Sequence, residues 1–182
     1  MNNRYVLWAA ATTILALIIH FCAVLSIPYL SENDAWKRLL NHSQANQMVL
    51  VDQLDEANKL WNFHATDVKY AICHYDITRG PVQVDFELFR GYWSVAIYDL
   101  EGKNFYAADG YDLLRRESSL LLLGPEQIKG NIEALTITVP DSEGILVIRA
   151  PIDNGVLESS ALEMLKRAKC EQLPEQVAER RS

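Results

Sequence analysis

The chain has 182 residues, with 24 acidic and 17 basic side chains and a net charge of −7. Arg4 is the single charged side chain of the first 30 residues, so residues 31–182 hold 16 Lys and Arg against 24 Asp and Glu, a net −8. That balance excludes nucleic acid as a partner, because binding to phosphate backbones needs basic surface to replace counterions, and it argues against tight adhesion to anionic lipid heads. Roughly 150 residues beyond the first segment suffice for one domain with a real core and hardly for two.

From Trp8 to Pro28 runs a stretch of 21 uncharged, mostly apolar residues. As a helix rising about 1.5 Å per residue it spans roughly 30 Å, the hydrocarbon thickness of a bilayer. It is apolar all round, whereas a helix packed on a soluble core is apolar along one stripe. Only Thr12, Thr13, His20 and Ser26 are polar. We read a retained membrane anchor over 1–30. The rival is a cleaved signal peptide, with Val24 and Ser26 as the small residues before the cut, although signal cores usually run about 7 to 15 residues. Arg4 and the α-amino group, with no acidic neighbour, keep the N-terminus in the cytoplasm and put the remainder outside it.

Next come Trp36, Leu39, Leu40, Leu50, Val51, Leu54 and Trp61 at helical spacing, interrupted at Asn41-His42-Ser43. This predicts a juxtamembrane helical segment over 31–62, built from helices at 33–41 and 45–60. From Val68 the period changes to two. Strands are predicted at Tyr70–Asp76, Val82–Leu88, Trp93–Tyr98, Asn104–Ala107, Ser118–Leu123, Leu135–Val139 and Glu143–Arg149, with turn residues such as Thr78-Arg79-Gly80-Pro81 between them. The Ser118–Leu123 run is almost continuously apolar, as a strand buried on both faces would be. Leu157–Ala168, with Leu162, Leu165 and Ala168 on one side, is an amphipathic helix. The expected fold is α+β, mainly β: an antiparallel sandwich of six or seven strands over 63–170, closed by a C-terminal helix and followed by a flexible polar tail, 171–182.

Cys22 falls in the apolar run, and Cys73 and Cys170 lie outside it. An even pair in an oxidising compartment invites a disulfide, two buried thiols being the alternative. Cys73-His74 invites a thiol–imidazole reading, but neighbours on a strand point to opposite faces, so Cys73 sides with Tyr75 and His74 with Asp76. His74, Asp76 and His64 lack the spacing of a metal site. No phosphate loop, His-Glu-x-x-His or serine elbow is present, so no catalytic residue, metal or cofactor is assigned. The aromatics Tyr92, Trp93, Tyr98 and Tyr106, with Phe105 and Tyr111, are the one suggestive patch; Tyr92, Trp93, Tyr98 and Tyr106 are ligand-binding candidates for a glycan or small amphiphile, with core filling as the alternative. Arg149, on a strand otherwise apolar, calls for a carboxylate such as Asp76 or Asp99.

Val68-Lys69-Tyr70-Ala71-Ile72-Cys73-His74-Tyr75-Asp76-Ile77 with Gly80-Pro81-Val82, then Tyr92-Trp93-Ser94-Val95-Ala96-Ile97-Tyr98-Asp99 with Asn104-Phe105-Tyr106, resembles the bacterial domain of unknown function family 1254. The late Ile145-Leu146-Val147-Ile148-Arg149, followed by a helix ending in Arg167-Ala168-Lys169-Cys170, is similar to its short, membrane-anchored members. The resemblance implies a β-rich domain in the bacterial envelope, beside a second domain of unknown function, family 1214, and it supplies no reaction. The expected protein is a single-pass inner-membrane component with its main domain in the periplasm, acting as a structural or adaptor part of an envelope assembly. A glycan or amphiphile binder using the aromatic patch is the alternative, and an envelope hydrolase ranks below both.

Overall fold

A computed structural model describes residues 3–30, 43–51, 65, 67–87, 91–110, 119–152, 158–174 and 178–180. The chain divides into two units, Met1–Asp34 and Ala35–Ser182. In the first, Asn3–Leu30 is one 28-residue helix, α1. Its stretch Asn3–Ile27 is long and apolar enough to cross a bilayer, and its apolar window is exposed. The hydroxyls inside that window donate to the helix's own carbonyls: Thr12 Oγ1 to Trp8 O at 3.0 Å, Thr13 Oγ1 to Ala9 O at 2.9 Å and Ser26 Oγ to Cys22 O at 2.8 Å. Hydroxyls satisfied within the helix need no water, which suits hydrocarbon surroundings.

In the second unit the described strands are β1 (Met48–Leu50), β2 (Val68–Asp76), β3 (Val82–Asp85), β4 (Ser94–Tyr98), β5 (Asn104–Asp109), β6 (Ser119–Leu123), β7 (Gln127–Lys129), β8 (Leu135–Thr138), β9 (Glu143–Pro151), β10 (Lys169–Gln172) and β11 (Ala178–Arg180). One sheet runs β1-β2-β9-β4-β5, antiparallel throughout. The other runs β10-β3-β6-β8, and its β6–β8 pair is parallel. β7 and β11 form a separate ribbon. Glu158–Arg167 is a helix, α2, packed on β2 and β9.

Period-two alternation decides which residues meet. Ala71, Cys73 and Tyr75 of β2, Val95 and Ile97 of β4, and Leu146, Ile148 and Ala150 of β9 join Val82, Val84, Leu120 and Leu122 of the other sheet in one core. Ala161, Met164 and Leu165 of α2 complete it. Each fully buried branched or aromatic side chain contributes about 1.5–3 kcal/mol, and a one-residue slip would turn all of them outward. Register is therefore fixed by this face. β6 is buried on both sides, with Leu121 and Leu123 joining Ala134 in a second cluster, as its unbroken leucines predict. The outer face of the larger sheet carries Ile72, Ile145 and Val147, packed with Val51.

The expected mainly-β α+β fold is the observed one, with four departures. Met48–Leu50 is a strand where helical spacing predicts a helix over 45–60. The cause is Asn46, at φ 60°: its side chain bonds both backbone groups of Asp76, accepting from N at 2.8 Å and donating to O at 2.9 Å, while its own N–H donates to His74 O at 2.7 Å. These bonds turn the chain onto β2. The expected helix at 33–41, and 52–60, lie outside the described residues. The second sheet is mixed, not antiparallel, because β8 returns beside β6 in the same direction. Third, the sequence predicts six or seven strands, and eleven are described. Finally, Glu171 and Gln172 extend β10 and Ala178–Arg180 pairs with β7, so the segment expected to be a flexible tail contains paired strand.

Candidate functional site

β2 is the element on which most candidate chemistry lies. Its alternation sends Cys73 and Tyr75 into the core and leaves His74 and Asp76 half-buried outside it. Helix α2 ends at Arg167, and three residues later Cys170 on β10 meets Cys73 in a disulfide, Cα–Cα 6.3 Å. The bridge joins the two sheets and closes a sequence separation of 97 residues. With its sulfur bonded, Cys73 is no nucleophile.

His74 Nε2 lies 3.3 Å from Glu143 Oε2 across the β2–β9 pair. Asp76 is held elsewhere: its carboxylate accepts from the Thr78 N–H at 2.8 Å and the Thr78 hydroxyl at 2.6 Å, capping the turn before β3. Burial raises the Asp76 carboxyl, but the two Thr78 bonds and the charges of His74 and Arg79 outweigh it and leave the pKa below the usual carboxylate range. His74 and Asp76 thus share a face and have different hydrogen-bond partners. Glu143 is the partner that sequence reasoning misses, since the contact exists only once the β2–β9 register is known. His64 lies outside the described residues.

The aromatic candidates do not converge. Trp93 is fully buried, stacked edge-on against Phe86 at 5.1 Å and 61°, so it presents no face to a ligand. Strand parity dictates this, since Trp93 shares the inner face with Val95 and Ile97. Tyr92, beside it, points to solvent and is 55% exposed. Tyr98 packs on the outer face against the Ile72–Val147 cluster. Phe105 and Tyr106 are half-buried against the main core. Tyr111 lies outside the described residues. Arg149 corrects the expectation of an Asp76 or Asp99 partner. Its Nη2 donates to the Tyr98 hydroxyl at 3.3 Å, whereas Asp76 caps its own turn and Asp99 Oδ1 accepts from the Lys103 N–H at 2.7 Å.

Two features were not legible in the sequence. An open groove of about 600 Å³ lies between the edge strands β1 and β10, lined by Asn46, Gln47, Met48, Lys169 and Glu171. Each of these strands has a ladder partner on one side only among the described residues. Carboxylate oxygens of Asp99, Glu101 and Asp141 also lie within 4.8 Å of one another, although Asp141 stands forty positions later in the chain.

A disulfide-bridged, two-sheet β domain preceded by an apolar helix of membrane-spanning length is the class these features define. The chain belongs to the family described as Protein of unknown function (DUF1254), whose model matches residues 45–170. The match begins before β1, earlier than the segment carrying the resemblance in the sequence. Comparison with curated proteins gives no match. Among solved structures, the VPA0106 protein from Vibrio parahaemolyticus has a similar fold, with TM-score 0.61 and 13% identity over 78% of this chain and 35% of that one. An uncharacterised protein from Burkholderia cenocepacia matches with TM-score 0.46 and 8% identity, over 75% of this chain and 36% of that one. The chain therefore spans about a third of the length of these two proteins.

Proposed function

We propose that this protein is a single-pass component of a bacterial inner membrane, with its N-terminus in the cytoplasm and its β domain in the periplasm. There the domain acts as an adaptor that holds another envelope protein. The observation that carries this reading is the pairing of an exposed apolar span with a disulfide-bridged domain after it in the chain. Disulfides persist in oxidising compartments, and Arg4, the charge ahead of the apolar span, favours a cytoplasmic position for that side of it. The adaptor role is supported by the edges of β1 and β10, which border the groove. Unpaired strand edges are sites where an extended segment of another chain can add by main-chain hydrogen bonds. In the VPA0106 protein the matching fold occupies 35% of a longer chain, so there the fold accompanies further polypeptide. A protein of domain of unknown function family 1214 is the partner the resemblance favours.

Gentle extraction from membranes followed by affinity purification tests this. A stoichiometric envelope partner is the expected result, and recovery of an isolated monomer would overturn the adaptor role. Protease added to spheroplasts should digest the β domain while the N-terminal tip stays protected. Protection of the domain would overturn the topology.

A further inference from the structure

Tyr75 is fully buried, and its hydroxyl has no hydrogen-bond partner among the described residues. Buried phenol hydroxyls usually find one, so an orphan calls for an explanation. Its position supplies one. Tyr75 pairs with Gly144 across β2–β9. A Cβ at Gly144 would run into the Tyr75 hydroxyl and would stand 2.5 Å from the Tyr98 carbonyl oxygen. The hydroxyl therefore passes over Gly144 to the end of β4, where Asp99 follows Tyr98. Asp141 precedes β9 on the connection from β8, and that connection is tied to the end of β2 by the Ile77 N–H donating to Ser142 O at 2.9 Å.

Asp141 and Asp99 are the charges that act on this hydroxyl, and Glu101 joins them in one cluster of three carboxylates. Asp99 is buried, 8% exposed, and its Oδ1 is fixed by the Lys103 N–H in a turn that Gly102 makes at φ 83°. Glu101 and Asp141 are exposed, and the three groups offer oxygens within 4.8 Å of one another. Like charges at that separation repel by about 1 kcal/mol per pair in bulk water and by more beside a buried carboxylate. A cation removes that repulsion. Burial together with the charges of Asp141 and Asp99 raises the Tyr75 pKa, which keeps the hydroxyl protonated and able to donate.

We propose that Asp99, Glu101 and Asp141 bind one Ca²⁺ ion, with the Tyr75 hydroxyl donating a hydrogen bond to a water on that ion. The donor set is all oxygen, which disfavours zinc and the softer metals. Two of the carboxylates stand on exposed turns and leave room for the six to eight ligands and irregular geometry that Ca²⁺ accepts, where Mg²⁺ demands a tight octahedron. The ion clamps the β4–β5 turn to the β8–β9 connection.

Terbium(III) is the probe, applied to the full chain in detergent and excited through tyrosine absorption. One saturable site should appear, with emission displaced by Ca²⁺ at an affinity in the range of about 10⁻⁴ to 10⁻³ M known for extracellular modules. Glu101→Gln with Asp141→Asn changes two exposed side chains; it should keep the far-ultraviolet circular dichroism and weaken binding at least about tenfold, as loss of charged ligands does. Tyr75→Phe should lower the saturating emission several-fold. Emission equal in the wild type and the double variant would overturn the site, and displacement by Mg²⁺ as readily as by Ca²⁺ would overturn the choice of ion.

Discussion

At the scale of single residues, Gly144 shows how little freedom the inner face leaves. Any side chain there meets the Tyr75 hydroxyl and ring and the Tyr98 carbonyl. Gly144→Ala should destabilise the domain by about 1–3 kcal/mol, the usual range for overpacking. Tyr75→Phe removes the hydroxyl from the collision, so the double variant should recover part of that loss. Strict additivity in chemical denaturation would show that the two positions do not compete for the same space. Asp76 gives a second test. Its carboxyl titrates below the usual range in the folded state, so its contribution is present above the unfolded pKa and is lost as pH falls through the folded one. Unfolding midpoints measured downward from about pH 4, the ordinary carboxylate value, should fall less steeply in Asp76→Asn than in the wild type.

At the scale of elements, the long strands were legible because their alternation is strong. β2, β4, β6 and β9 lie within two residues of their expected bounds, and α2 does so because Leu162, Leu165 and Ala168 mark one face. The missed strands β1, β7, β10 and β11 are three or four residues long, too short to show a period. Lys169–Gln172 reads as polar surface, and its pairing with β3 is a tertiary fact. The same distinction governs the sites. Cys73 and Cys170 could be paired by counting cysteines, whereas Asp141 joins Asp99 and Glu101 only when two connections meet in space. Trp93 was ambiguous in the sequence because an inward and an outward aromatic read alike until parity is anchored to a core. The disulfide now permits an element-level prediction. A loop of about 100 residues gives up to about 4.7 kcal/mol in the chain-entropy model, and native bridges typically give about 2–5. Cys73→Ala with Cys170→Ala should lower the unfolding free energy by about 2–5 kcal/mol and separate β10 from β2 first. Denaturation curves that overlay the wild type's would show that the sheets are held by packing alone.

At the scale of the whole molecule, helix and bridge make sense together through compartment. The span from Trp8 to Pro28 has no charged side chain and so suits insertion, whereas an arginine at the centre of such a helix opposes insertion by about 2.5–3.5 kcal/mol on insertion scales. Two should abolish it. Leu15→Arg with Ile18→Arg alters two exposed positions of α1. If the anchor carries the domain out of the cytoplasm, the variant domain stays among reductants, and Cys73 and Cys170 remain thiols. Alkylation under denaturing, non-reducing conditions followed by mass measurement reads this directly. The wild type should take one label, at Cys22, its single described free cysteine, and the variant should take three. A variant that still takes one label would mean that the bridge forms without export, and compartment would then no longer connect the two units.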